Sequence, residues 1–215
     1  MYSSSRFLGS LAGMAFSLAF CFLSSGPMRA QGMPQFQQTY MVPLQEPVIL
    51  NVDIKNGQLQ ILYSRDGKVS LSVSVSGSLE AWAKTDSSVS PLIEQKGNSI
   101  SIRVPDASHE QRCRTLLYRL DVPYRTEVVS HVGTGKQQIS GIMGPVRSVT
   151  ESGDTRVSYI SQDVAATVGD GNLDLDVIGG RIQAQVHRGN ISCVRAAHLR
   201  ARAILIGPFT AVASE

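Results

Sequence analysis

From Val48 onward the chain alternates apolar and polar residues in the manner of half-buried β-strands. Val48-Ile49-Leu50-Asn51-Val52-Asp53-Ile54 predicts one strand, Asn56-Gly57 a turn, and Gln58-Leu59-Gln60-Ile61-Leu62-Tyr63 the next strand. Asp66-Gly67 predicts another turn, and Val69, Leu71, Val73 and Val75 then alternate with lysine and serines. Residues 77–91 read as a polar loop holding the only tryptophan, Trp82. Residues 92–95 and 99–104, separated by Gly97-Asn98, predict a hairpin. A charged loop follows at 107–114, and 116–122 resumes the strand pattern. No amphipathic helix of useful length is visible.

The second half carries a repeat. Gly135, Gly153, Gly171, Gly189 and Gly207 are spaced by 18 residues. Four positions after the glycines stand Ile139, Val157, Leu175 and Cys193, and seven after stand Ile142, Ile160, Ile178 and Ala196. Eleven after come Val146, Val164 and Ile182, and fifteen after come Thr150, Val168 and Val186. A fixed period of this length signals stacked structural units.

The architecture expected is all-β: a β-solenoid with 18-residue coils in the C-terminal half, preceded by β-hairpin strands. Equivalent residues stack about 4.8 Å apart in such a fold, so an inward column must be apolar in every coil. The recurring glycines are read as structural turn glycines that take φ > 0 at a corner. Asp154, Asn172 and Asn190 follow three of them and suit the same corner. A second corner is expected near Gly144-Pro145, Gln162-Asp163 and Gly179-Gly180. The parity change between the fourth and seventh positions implies a bend or bulge. A left-handed hexapeptide helix is excluded, because Pro145, Asp163 and Arg181 occupy its required aliphatic column. The alternative is an antiparallel β-sandwich with turns every nine residues.

The N-terminus has another character. Residues 7–23 are almost continuously apolar and uncharged, Arg6 precedes them, and Ser24-Ser25-Gly26-Pro27 ends the run before a small-residue site near Ala30. That is the three-part plan of a secretory signal peptide over 1–31. An uncleaved anchor and a lipoprotein signal at Cys21 are the rival readings. Residues 32–47, rich in Gln and Pro, read as a linker, and 48–215 as a single β-strand-repeat domain. The expected location is extracytoplasmic, with no membrane span once the signal is cleaved.

Composition supports a globular chain: of 215 residues, 42% are hydrophobic and 17% charged. Its 19 glycines lack a three-residue period, which excludes collagen. Loss of residues 1–31 removes Arg6 and Arg29 and no acid, so the formal charge falls from +3 to +1. The basic balance of the whole chain is therefore no argument for nucleic-acid binding.

Several motifs fall into a familiar pattern. Val122-Pro123-Tyr124 is followed by Ser130-His131-Val132-Gly133-Thr134-Gly135, Thr150-Glu151-Ser152-Gly153-Asp154, Gly169-Asp170-Gly171-Asn172 and His187-Arg188-Gly189-Asn190-Ile191. This resembles the putative-adhesin, β-strand-repeat family of exported bacterial proteins, a domain of unknown function. The resemblance covers roughly residues 48–206. It implies a β-solenoid-like domain at the cell envelope and brings no catalytic residues. The pattern departs after Ala196, where Arg200 occupies an expected apolar column.

Candidate chemistry is sparse. Asp154, Asp163, Asp170, Asp174 and Asp176 are close together in the repeats, but they lack a calcium-binding repeat pattern, and a cross-strand pair between Asp174 and Arg156 is the simpler role. His109, His131, His187 and His198 have no metal-ligand spacing and read as surface residues. No nucleophile elbow, phosphate loop or dinucleotide fingerprint is present. No catalytic residue, metal or cofactor is therefore expected. Cys193 lies in an inward column, far from Cys113, which argues against a disulfide.

One asymmetry stands out. Between Val177 and Ser214 there is no acid, while Arg181, Arg188, Arg195, Arg200 and Arg202 fall there. These arginines read either as a surface for an anionic ligand or as a charged cap on the solenoid end. The function expected is non-enzymatic: adhesin-like binding or scaffolding, with an envelope polymer, anionic lipid or surface protein as partner and no nucleic acid. The alternative is a polysaccharide-active enzyme on a β-helix.

Overall fold

The computed structural model describes residues 36–41, 47–76, 91–104, 115–201 and 209–212. The predicted signal segment 1–31 lies outside the described residues, as do Cys113, Arg202, Gly207 and most of the two predicted loops. Among the described residues the chain is all-β. Fifteen strands join one sheet, and no helix is present. In chain order they are β1 (Phe36–Met41), β2 (Val48–Asn56), β3 (Gln58–Tyr63), β4 (Lys68–Ser76), β5 (Leu92–Lys96), β6 (Ser99–Val104), β7 (Thr115–Val122), β8 (Thr126–Thr134), β9 (Gln137–Ser140), β10 (Val146–Ser152), β11 (Thr155–Ile160), β12 (Val164–Asp170), β13 (Leu173–Arg188), β14 (Ile191–Ala201) and β15 (Phe209–Val212).

Within the repeats, pairing is parallel at a constant offset. Val146 of β10 pairs with Val128 of β8 and Val164 of β12, each 18 residues away. Val157 of β11 pairs with Ile139 of β9 and Leu175 of β13, and Leu175 pairs with Cys193 of β14. One repeat is thus a rung of two strands joined at a glycine corner. The antiparallel sandwich considered for this region is not formed, because constant-offset partners require strands running the same way. Antiparallel pairs occur only outside the repeats among the described residues, at β1–β4, β4–β7 and β5–β6.

The apolar columns face inward. Ile139, Val157, Leu175 and Cys193 are buried, as are Ile142, Ile160 and Ile178, and Val146, Val164 and Ile182. Each buried aliphatic side chain contributes about 1.5–3 kcal/mol relative to exposure. Both strands of every rung feed the same hydrophobic cluster.

The parity change has a backbone cause. Gly141, Tyr159, Val177 and Arg195, each six residues past a corner glycine, have φ of 78°, 56°, 54° and 55°. One left-handed residue per rung turns the chain and swaps inside for outside. Three of the four are not glycine, so the packing on either side outweighs a local cost of about 1–2 kcal/mol.

Two further rungs come from outside the regular period. β2 and β3 flank Gly57 and pair in parallel with β8 and β9, so that Ile61 faces Ile139. The offset there is 78 residues, which is one 18-residue step plus a 60-residue insertion. Strands β6 and β7 from that insertion pair with the far sides of β2 and β3. The chain therefore skips over an existing rung between β7 and β8.

Part of the segment read as a linker differs. Phe36–Met41 forms β1, antiparallel to β4. A backbone ladder needs no apolar alternation, and Pro34 and Pro43 fall outside the strand, where their missing N–H groups do not interrupt it.

Candidate functional surface

The rung geometry sets which side chains reach solvent together. One position after the corner glycines, Lys136, Asp154, Asn172 and Asn190 form a ladder. Asn172 donates from its side-chain amide to Asp154 Oδ1 at 3.0 Å, and Asn190 donates to Asn172 Oδ1 at 3.1 Å. Lys136 Nζ lies 3.7 Å from Asp154 Oδ2. The corner glycines are locked to the next rung, with Gly135 N–H donating to Ser152 O at 2.9 Å and Gly153 N–H to Asp170 O at 2.7 Å.

Three of the predicted arginines repeat the same logic. Arg181 pairs with Asp163 (backbone N–H 2.9 Å, guanidinium 3.3 Å), Arg188 with Asp170, and Arg195 with both oxygens of Asp176 at 2.8 Å. Each acid lies about one rung earlier, at 18 or 19 residues. The acid-free stretch is therefore not an isolated positive field at these three positions. Hydrogen bonding and charge from Asp176, with a weaker contribution from Tyr159, push the Arg195 pKa up. Arg200 belongs to β14 by its backbone, and Arg202 lies outside the described residues.

Arg156 and Asp174 are register partners, yet the described residues show no ion pair between them. Instead they line a shallow groove of about 400 Å³ with Gln58, Gln60, Lys136 and Gln138. A second groove, about 830 Å³, lies along Arg147, Ala165 and Gln183 beside Asp163 and Arg181. Both are half-open to solvent.

A cluster not anticipated from sequence sits on β2, β8 and β10. His131 Nδ1 is 2.9 Å from Asp53 Oδ1, and its Nε2 is 3.1 Å from Glu151 Oε1. Lys55 Nζ is 3.6 Å from Asp53. Partial burial opposes ionisation of Asp53, but the His131 hydrogen bond and the charges of Lys55 and His131 outweigh it. Together they hold the carboxyl below its usual range. The imidazole thus bridges three rungs, one of them the early rung β2–β3. Its two nitrogens point at different carboxylates, so the three groups do not converge on a single ligand point. Among the described residues no group of three His, Cys, Asp or Glu side chains is arranged to hold a metal ion.

The core also contains polar groups that sequence reasoning did not single out. Gln137 donates to Ser130 Oγ, Thr150 Oγ1 donates to Gln137 Oε1 at 3.1 Å, and Thr150 and Thr155 hydroxyls are 2.7 Å apart. All four residues are buried. They satisfy one another, as most buried polar groups do, whereas among the described residues the buried Tyr118 hydroxyl and Ser148 Oγ find no partner. Cys193 is a free thiol in its inward column, its pKa raised by burial and by Asp176. No helix of the described residues is long and apolar enough to cross a membrane.

No family model and no curated protein matches the chain. Among the solved structures to which the chain is similar are three of low identity. A putative cell adhesion protein from Clostridium sporogenes shares 14% identity, with 75% of this chain and 81% of that chain covered and a TM-score of 0.47. A putative adhesin from Bacteroides fragilis shares 13% identity over 82% of this chain and 96% of its own, with a TM-score of 0.31. One from Parabacteroides distasonis shares 13% identity over 83% and 92%, with a TM-score of 0.28. None of the three brings a residue role or a ligand to this chain.

Proposed function

We propose that the chain is an exported, non-enzymatic envelope protein whose repeats form a β-solenoid, used for adhesin-like binding or scaffolding. The observation that carries the reading is the outward register. Side chains such as Lys136, Asp154, Asn172 and Asn190 recur at one-rung intervals and are linked between rungs by an ion pair from Lys136 to Asp154 and by hydrogen bonds among Asp154, Asn172 and Asn190. A rigid surface with a regular spacing suits a repetitive or extended partner, and loses little entropy on binding. The apolar segment at 7–23 supports export, and the absence of a catalytic motif from the sequence supports a binding role.

The arginine surface for an anionic envelope polymer or lipid remains part of this proposal at Arg200 and Arg202. At Arg181, Arg188 and Arg195 an anion would compete with an aspartate already in place. Two measurements test the whole. Mass spectrometry of the chain made in its own cells should find an extracytoplasmic form starting near Gln31 or Gly32. An intact N-terminus, or lipid on Cys21, contradicts that. The full-length protein should co-sediment with envelope fragments and turn over no polysaccharide. Turnover abolished by Asp174→Ala would establish the enzyme reading instead.

A further inference from the structure

Gln60 of β3, Gln138 of β9, Arg156 of β11 and Asp174 of β13 stand side by side in register on the outer face of four successive rungs. Neighbouring strands lie about 4.8 Å apart, so the row runs about 14 Å across them. Among the described residues none of these four side chains has a hydrogen-bond or ion-pair partner.

Arg156 and Asp174 make the row unusual. Elsewhere in the repeats an acid and a base about one rung apart meet: Lys136 with Asp154, Arg181 with Asp163, Arg188 with Asp170 and Arg195 with Asp176. Arg156 and Asp174 are register partners on adjacent strands, both exposed, yet their charged ends stay apart. Both line the groove of about 400 Å³ together with Gln60 and Gln138.

The four groups ask different things of a ligand. An amide donates and accepts, a guanidinium only donates, and a carboxylate only accepts. A hydroxyl does both, so a hydroxyl-rich ligand meets all four. Charge narrows the class. Lys136 and Asp154 border the row on its corner side, Asp176 with Arg195 lies beside Asp174, and Arg119 with Asp121 lies beyond Gln60. Each of these cations is matched by an anion, as Arg156 is by Asp174, so the face carries no net charge. A polyanion would meet Asp154 and Asp174, and a polycation Lys136 and Arg156. Spacing narrows it further. The row is longer than one sugar ring, and each unit of an extended glycan advances by close to one rung. An extended peptide advances about 3.3 Å per residue and falls out of step. No aromatic ring lines the groove, so recognition there is by hydrogen bonds. We infer that Gln60, Gln138, Arg156 and Asp174 form a binding row for a neutral polysaccharide lying across the strands. This deepens the binding role proposed above and rests on it.

The test uses the full-length chain in affinity electrophoresis through gels containing a soluble glucan, mannan or galactan. Alginate is the anionic comparison and polylysine the cationic one. At least one neutral polymer should retard the protein. Arg156→Ser and Asp174→Asn should each weaken that retardation about tenfold, the loss of a hydrogen bond to a charged group. Gln138→Ala should weaken it about threefold, the loss of a neutral one. Arg147→Ser, on the strands of the other groove, should leave it intact. Melting curves of all variants keep a folding defect distinguishable from a binding one. Retardation by alginate or polylysine as strong as by any neutral polymer overturns the row. Neutral binding that survives both Arg156→Ser and Asp174→Asn overturns it, as does no retardation by any neutral polymer. If envelope co-sedimentation persists in that last case, the broader binding role stands without the row, and if it is lost, both fall.

Discussion

A Cβ placed on Gly135 would collide with the carbonyl oxygen of Gly57, a residue 78 positions earlier in the chain. The same collision would follow at Gly153 against Gly135, at Gly171 against Gly153 and at Gly189 against Gly171. These corners are stacked with no room for a side chain, and all have positive φ. Gly153→Ala should therefore lower stability by more than about 3 kcal/mol, from strain and backbone displacement together. Gly97 has φ of 58°, but a Cβ there would meet nothing within 4 Å, so Gly97→Ala should cost about 1 kcal/mol. Urea denaturation of the two variants checks the difference, and equal losses would contradict the stacking.

The inward and outward positions of one strand should separate just as sharply. Val157 is fully buried, and Val157→Asp places an unpaired charge in its column, costing several kcal/mol against a total of about 5–15. Arg156, one residue away, is exposed. Arg156→Ser should cost less than about 1 kcal/mol. Similar melting temperatures for both variants would refute the column assignment.

Val177 carries the least suitable side chain for its backbone, β-branched at φ 54°. Val177→Asn should raise stability by about 1 kcal/mol, because asparagine tolerates this region better. A fall in the thermal midpoint would show that the half-buried valine side chain contributes more than the strain it imposes.

The His131 bridge has a pH signature of defined sign. Asp53 has a folded pKa below its usual value, so its contribution to stability is present above the unfolded pKa of about 3.8. It is lost as pH falls through the depressed folded value. Asp53→Asn should flatten the acid limb of a stability-against-pH curve, and His131→Gln should flatten it in part. An unchanged acid limb in Asp53→Asn would remove the carboxylate from the account.

Much of the repeat was legible because an inward column must be apolar in every rung. Ile139, Val157, Leu175 and Cys193 show this, and the parity change before Ile142 already required the bend that Tyr159 and Val177 make. The early rung was hidden. Its Gly57 belongs to the glycine column, but the 60-residue insertion breaks the period. The polar network at Gln137 was hidden because a satisfied buried amide looks like a surface residue in a sequence. The arginines looked unopposed because charge was counted along the chain, whereas Asp163, Asp170 and Asp176 approach across rungs. The row of Gln60, Gln138, Arg156 and Asp174 crosses the same insertion, so only its last three members share the 18-residue offset.

The constant 18-residue register is the claim on which the rest stands, and deletion of one whole rung tests it most directly. Removing residues 154–171 joins Gly153 to Asn172 and leaves every remaining column in phase. This variant should keep a β-sheet circular dichroism spectrum and a single cooperative melt. Removing only 154–162 puts the following columns out of phase and should abolish the cooperative transition. Loss of folding in the 18-residue deletion, alongside survival of the nine-residue one, would contradict the stacked-rung architecture.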